Sequence, residues 1–383
     1  MENQPWSGEA NVHVSIANWV RTQDEALLPK MRRLWFKSAQ RGAKDFDLDC
    51  REAVKINSAL ADGVDVSGAA VLSCNAGYCY TGQYPRHKGF MLTTDQASRL
   101  LVDSANAAVV RPFLVGDELL STGRPERSVI DFQTRTIIEA KAFDLPFAWV
   151  QREVLPHVQA LADVERDKTG KPTGQDQNWL QTWWQHFRSR PELIGKISRL
   201  PRYLVCSRVT KRPIFAFVAS AIRPGDALSC FTFADDYSFG ILQSSAHWQW
   251  FIAKCSKLKS DFRYTPESVF DTFPWPQAPT EKQIDAIAAA GREIRRIRAE
   301  ALLTMTGGLR ALYRTLDLPG RTRCATPTPN STKRYSLPTA SPRRPTCCNN
   351  CSTSIARFQQ KSALATRRLR PACRLLTPTR RGW

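Results

Sequence analysis

The residues best placed to do chemistry are basic groups on turns between short apolar segments. They are Arg86, His87 and Lys88; Arg124 and Arg127; Arg208, Lys211 and Arg212; and Lys257, Lys259 and Arg263. Guanidinium and ammonium groups on turns can donate to phosphate oxygens and to base edges, the contacts that hold and read a duplex. Taken singly, each is better explained as a solvated surface charge than as a base reader. As a group on turns they suit a face that meets a polyanion.

Other constellations are weaker. Asp131 followed by Glu139 and Lys141 has the spacing of the Asp…Glu-x-Lys set that holds magnesium in many nucleases. The segment IIEAKAF reads as helix, however, not as the hairpin strand such a site uses. Cys74 and Cys79 could be two zinc ligands, but no second Cys/His pair follows at finger spacing, and small buried thiols explain them as well. No metal site and no catalytic residue is therefore assigned. Trp183, Trp184, Trp248, Trp250, His247 and Tyr264 read as packing residues.

The elements around these groups form a mixed α/β pattern. Residues 9–20 alternate apolar and polar side chains, as a strand does, and start as if in the middle of a sheet. Residues 51–60 suggest a short helix and 63–85 a loop. HKGFMLT reads as a strand leading into a helix over 95–103 capped by Thr94. VVRPFLVGDELL and RSVIDF read as strands joined by turns at Gly116 and Gly123. A helix over 147–163 leads to a polar linker at 165–178. Strands follow over 202–233, then helical spacing over 244–258. RYTPESVFDTFPWP is extended and turn-rich, closed by prolines. From Thr280, a plausible N-cap, a long amphipathic helix carries Ile284, Ile287, Ile294, Ile297 and Leu302 largely on one face, until Gly307 and Gly308 break it.

Composition divides the chain in two. The net charge of +20 suggests a polyanionic partner. Yet residues 321–383 hold 14 Lys+Arg and no acid, leaving 41 basic against 35 acidic groups in residues 1–320. Five of the 11 cysteines (Cys324, Cys347, Cys348, Cys351 and Cys373) also lie in this tail. One reading is a disordered basic arm. The preferred one is a shifted reading frame. With GC-rich codons assigned to 322–352 and the frame moved by two nucleotides, a balanced, amphipathic helical sequence emerges. No apolar run approaches a membrane span and the first residues are no signal peptide, so no membrane partner and a cytoplasmic location are expected.

Several segments, in order, resemble the C-terminal part of the large adenine DNA methyltransferases of the MmeI-like restriction–modification group. They are PWSGEANVHVSIANW, HKGFMLT, VVRPFLVGDEL, VIDF, PRYLVCSRVTKRP and above all FRYTPESVFDTFPWP. The resemblance spans about residues 4–318. It implies a remnant of the methyltransferase sheet (1–50), an α+β target-recognition domain (51–276) and a helical C-terminal region (277–320); composition adds a disordered basic tail (321–383). It further implies duplex DNA as partner and S-adenosylmethionine as the parent enzyme's cofactor. The family's Gly-rich cofactor loop and its Asn-Pro-Pro-aromatic motif do not occur in this sequence. No cofactor-binding residue is therefore assigned, none is expected to bind to this chain alone, and methyl transfer would require an upstream polypeptide carrying the catalytic half. The alternative is a DNA-binding fragment, or a decayed gene product, without enzymatic activity.

Overall fold

The computed structural model describes residues 21–40, 46–54, 68–258 and 261–315, with a few isolated positions before residue 68. The expected basic tail, and with it the shifted-frame reading, lies outside the described residues. Two antiparallel pairs come first, Gln4–Pro5 with His13–Val14 and Arg32–Gln40 with Phe46–Ala53. Residues 51–53, expected in a helix, are therefore strand; β-branching plays no part there, and the alternating polar and apolar side chains of FDLDCREA account for it.

The central sheet has the order Ala216–Ala219, Arg202–Ser207, Leu228–Phe231, Cys79–Thr81, all antiparallel. The run Tyr203-Leu204-Val205-Cys206 is apolar without alternation because both sheet faces are covered. Tyr203 and Val205 pack with Leu193, Ile194, Ile197 and Leu119. Leu204 and Cys206 pack on the other side with Phe215, Phe239, Phe251, Tyr264 and Phe270. The second sheet runs Arg223–Pro224, Val110–Leu114, Arg127–Ile130, Met91–Leu92, with its first pair parallel. Its core of Phe90, Phe113, Val129 and Phe132 is closed by helices carrying Phe147, Val150, Val158 and Trp179 and by Trp183 and Trp184 on the turn that follows. A small sheet joins Val209–Thr210, Asp261–Arg263 and Ser256–Leu258.

Several expected boundaries move. The helix after HKGFMLT is Thr94–Leu100, and its cap is Thr93, whose side chain accepts from Gln96 while Gln96 reaches back. The supposed turn at Gly116 opens a helix, Gly116–Ser121, where Glu118 accepts from the Val115 amide at 3.3 Å. The polar linker is mostly helical. Leu155–Thr169 ends at Gly170 in the left-handed region, and Gln175–Gln181 starts where the Glu165 carboxylate accepts from the amides of Gln175, Asp176 and Gln177. The long apolar stretch after Ser244 is helix only as Ser245–Lys254.

The segment Arg263–Pro276 leaves the strand Asp261–Arg263 and is turn-rich, as read from sequence. Pro266–Phe270 form a five-residue helical turn of the wide type. Asn75, buried, donates its amide to the carbonyls of Phe270 at 3.0 Å and Phe273 at 2.9 Å. The final helix Glu281–Thr304 has Thr280 as its cap, as read from sequence, and Gly307 and Gly308, both at positive φ, separate it from Gly308–Arg314. It crosses the helix Asp236–Leu242 at two glycines. A Cβ on Gly291 would stand 2.7 Å from the Asp236 carbonyl, and one on Gly240 would stand 2.8 Å from the Ile287 carbonyl.

Candidate nucleic-acid interface

The structure does not gather the candidate basic residues onto one spot. Arg86, at positive φ, ion-pairs with Asp176 and lies over the rings of Trp179 and Phe187 at 5.2 and 4.6 Å. His87 accepts from the Gly89 amide at 3.0 Å and stacks on His157, ring centroids 4.5 Å apart. Burial, then His157, lowers its pKa from 6.5. These two side chains are engaged in holding their own loop, whereas Lys88 is exposed. Arg124 is exposed on its turn, and Arg127 bonds the buried Glu118 at 2.6 Å. Lys211 is exposed and Arg212 lies over Trp248 at 5.0 Å. Lys257 sits in the strand Ser256–Leu258, and Lys259 lies outside the described residues.

Arg208 and Arg263 do come together, Arg263 on the strand Asp261–Arg263 and Arg208 just before its partner strand Val209–Thr210, with two arginines that sequence reading missed. Arg208 donates its backbone amide to Ala227 and its Nη1 to the Asp226 carbonyl, both at 2.8 Å, while its own carbonyl accepts from Tyr264 at 2.7 Å. Arg190 acts on it and Arg188 acts on Arg190, both on a segment brought in by a backbone exchange between Tyr84 and Arg188 at 3.0 and 3.1 Å. The segment that carries Tyr84 is itself seated on the loop at Gly225. The Gln83 amide donates to Pro224 at 2.8 Å, and a Cβ on Gly82 would fall 2.1 Å from the Gly225 carbonyl. Only glycine permits that approach.

Like charges act on one another in this patch. Burial first, then Arg188, pulls the Arg190 pKa below its ordinary value. Burial first, then Arg263, does the same to Arg208. Among the described residues none of the four makes an ion pair, but the carboxylates of Asp226 and Glu267 act on both Arg190 and Arg208 and oppose part of the lowering. The Nε atoms of Arg190 and Arg208 are buried without a hydrogen-bond partner. Leaving such a donor unpaired costs about 1–3 kcal/mol. Arg190 also holds φ +53 directly before Pro191. A residue before proline favours extended backbone, and the left-handed region adds roughly 1–2 kcal/mol more. Backbone strain and buried unpaired donors of this kind cluster at functional sites.

The acidic constellation resolves differently. Asp131 is 1% exposed and accepts from Arg223 Nε at 2.9 Å. Glu139 caps its own helix, accepting from the Thr136 amide at 2.8 Å, and Lys141 lies over Phe147 at 5.9 Å. The two carboxylates serve separate structural ends. Among the described residues no group of three His, Cys, Asp or Glu could hold a metal ion. Cys79 is buried in the central sheet beside Cys206 and Cys230, whereas Cys74 is exposed. The tryptophans pack as expected: Trp184 donates to Arg135 at 2.9 Å and Trp250 to Val269 at 3.1 Å. His247 is fully buried and meets the Tyr264 hydroxyl at 3.0 Å.

Among curated proteins no sequence matches. A solved structure of MmeI, a Type IIL restriction–modification enzyme in complex with DNA, has the same fold at 21% identity, with a TM-score of 0.59. The match covers 83% of this chain and 40% of that one, so the chain spans well under half of that enzyme's length. The family model of the MmeI target recognition domain matches residues 66–277, which is more than half of the chain and contains the whole arginine patch. The chain belongs to the MmeI target-recognition family.

Proposed function

We propose that this chain recognises a short duplex DNA site on behalf of a site-specific adenine DNA methyltransferase. The observation that carries the reading is the patch of Arg188, Arg190, Arg208 and Arg263, held without a direct ion pair and built by the family-matched span. Arginine forks donate to paired phosphate oxygens or to guanine O6 and N7, and a low-dielectric rim strengthens both. Lys88, Arg124 and Lys211, exposed on separate turns, are candidate outer contacts.

The residues present do not fit S-adenosylmethionine. The nearest thing to a cofactor loop is the strand–glycine–helix step at Gly116, and there a Cβ would already meet Ser207 Oγ at 3.2 Å and the Ala227 carbonyl at 3.3 Å. That helix start is packed against the central sheet, with no room for a nucleoside. The cofactor and the amine-binding Asn-Pro-Pro-aromatic motif would then come from an upstream polypeptide, and no methyl-transfer step is derived for this chain. A free-standing DNA-binding fragment is the second reading. An adjacent upstream reading frame carrying the catalytic motif favours the first, and its absence the second.

The test is fluorescence anisotropy of the full chain with a labelled mixed-sequence duplex across a salt series, followed by selection of bound sequences. Arg208→Ala is expected to weaken binding and to flatten the log–log salt slope by about 0.9 per lost phosphate contact. Binding and slope unchanged in both Arg190→Ala and Arg208→Ala would remove the patch from the interface.

A further inference from the structure

Behind the patch lies a buried polar network. Asp131 accepts from Arg223 Nε at 2.9 Å, from Gln83 Nε2 at 3.2 Å, and from the backbone amide and Nε2 of Gln133 at 3.2 and 2.6 Å. Its own backbone is fixed by donation to Val109 at 2.7 Å. An ionised carboxylate can only accept, so each glutamine must turn its NH2 group toward it. The second task of both amides is then determined. Gln83 Nε2 donates to the Ser189 carbonyl at 2.9 Å, and Gln133 Nε2 reaches the same oxygen at 3.4 Å. Gln83 keeps this orientation although its Oε1 is left buried and unpaired. Ser189 stands between Arg188 and Arg190.

An ion pair as buried as Asp131–Arg223 stabilises a core less well than apolar residues of the same volume. Its use here is directional. We propose that Asp131 is a positioning residue: through the two glutamine amides it sets the Ser189 carbonyl, and so the placement of the arginines on either side, without touching DNA. This inference rests on the reading of the patch as the duplex-contacting surface.

The test is a double-mutant cycle on the full chain. Gln133→Leu removes one amide clamp and leaves Asp131–Arg223 intact. It is expected to weaken binding of the labelled mixed-sequence duplex about three- to tenfold. Arg190→Ala is expected to weaken binding and to flatten the salt slope. The double variant is expected to bind no more weakly than Arg190→Ala alone, because the clamp acts through that loop. An unchanged affinity in Gln133→Leu, or losses that add in full in the double variant, would overturn the positioning role while leaving the patch in place. An unchanged affinity in Arg190→Ala would overturn the positioning role, and unchanged affinity in Arg208→Ala as well would overturn the patch. If Gln133→Leu does not fold, Gln133→Asn retracts the amide from Ser189 and is read by the same cycle.

Discussion

Replacing Arg298 by methionine tests how the final helix is held. Arg298 is 8% exposed. Its Nη1 donates to the Phe215 carbonyl at 2.7 Å, its Nη2 to Gln243 Oε1 at 2.6 Å and its Nε to the Tyr313 hydroxyl at 2.8 Å. Methionine fills similar space and donates nothing. Gln243 Oε1 keeps the Phe215 amide at 3.0 Å, and the half-buried Tyr313 can turn to water. The Phe215 carbonyl is left alone, at about 1–3 kcal/mol, and the other two bonds are weakened. Relief of guanidinium desolvation offsets part of this, so the expected loss is roughly 2 kcal/mol, well beyond the ~0.5 kcal/mol scatter of surface changes. The control is Arg296→Met on the same helix, where Arg296 meets Glu293 and Glu300 in solvent. Urea unfolding followed by fluorescence of the 11 tryptophans separates the two. Arg298→Met unfolding at the same urea concentration as Arg296→Met would refute the idea that this guanidinium pins the helix.

Further predictions concern burial and close packing. Burial holds the His247 pKa down at about 3 from 6.5, so the stabilising neutral form is secure above pH 6.5 and its contribution is lost as pH falls through the window toward 3. At pH ~5 the cost is about 2 kcal/mol, and unfolding curves of His247→Gln should show a shallower pH dependence across that window. Gly240→Ala places a Cβ 2.7 Å from Ile287 Cγ2. Overpacking of about 1–3 kcal/mol should exceed the ~0.5–1 kcal/mol that alanine gains in a helix, so the melting temperature should fall. Peptide-mapped thiol labelling of the native chain should reach Cys50 and Cys74 before Cys79, Cys206 and Cys230, which are buried. Equal rates would show the central sheet to be open.

The parts legible in the sequence were those set by local patterns. Thr280, with a glutamine three residues on, announced a capping box, and the glycine pair announced the helix break. The doubly covered strand was visible as the unbroken run YLVC. Elements defined by distant partners were not legible. Gly116 looked like a turn because nothing nearby says that Glu118 folds back on Val115. Of the basic candidates, Arg208 and Arg263 share the patch, but Arg86 and His87 are drawn inward by Asp176, Trp179 and His157, all more than 60 residues away in sequence. Arg188 and Arg190 were passed over because the preceding aromatic cluster drew attention to packing. Their signal was two arginines two apart, ending against a proline.

The bonds from Asn75 to Phe270 and Phe273 join residues 195 and 198 positions apart. On the ribosome this closure cannot form until the far end has emerged. At about 5–20 residues per second the wait is roughly 10–40 s. Phe215, Phe231, Phe239 and Phe251 leave the exit tunnel during that interval, before Tyr264 and Phe270 arrive to cover them. Vectorial synthesis thus exposes one face of the central sheet for a stretch of time that synonymous-codon choice could lengthen or shorten. Yield in cells should therefore respond to translation speed over residues 200–275 and to the supply of chaperones that shield nascent apolar surface.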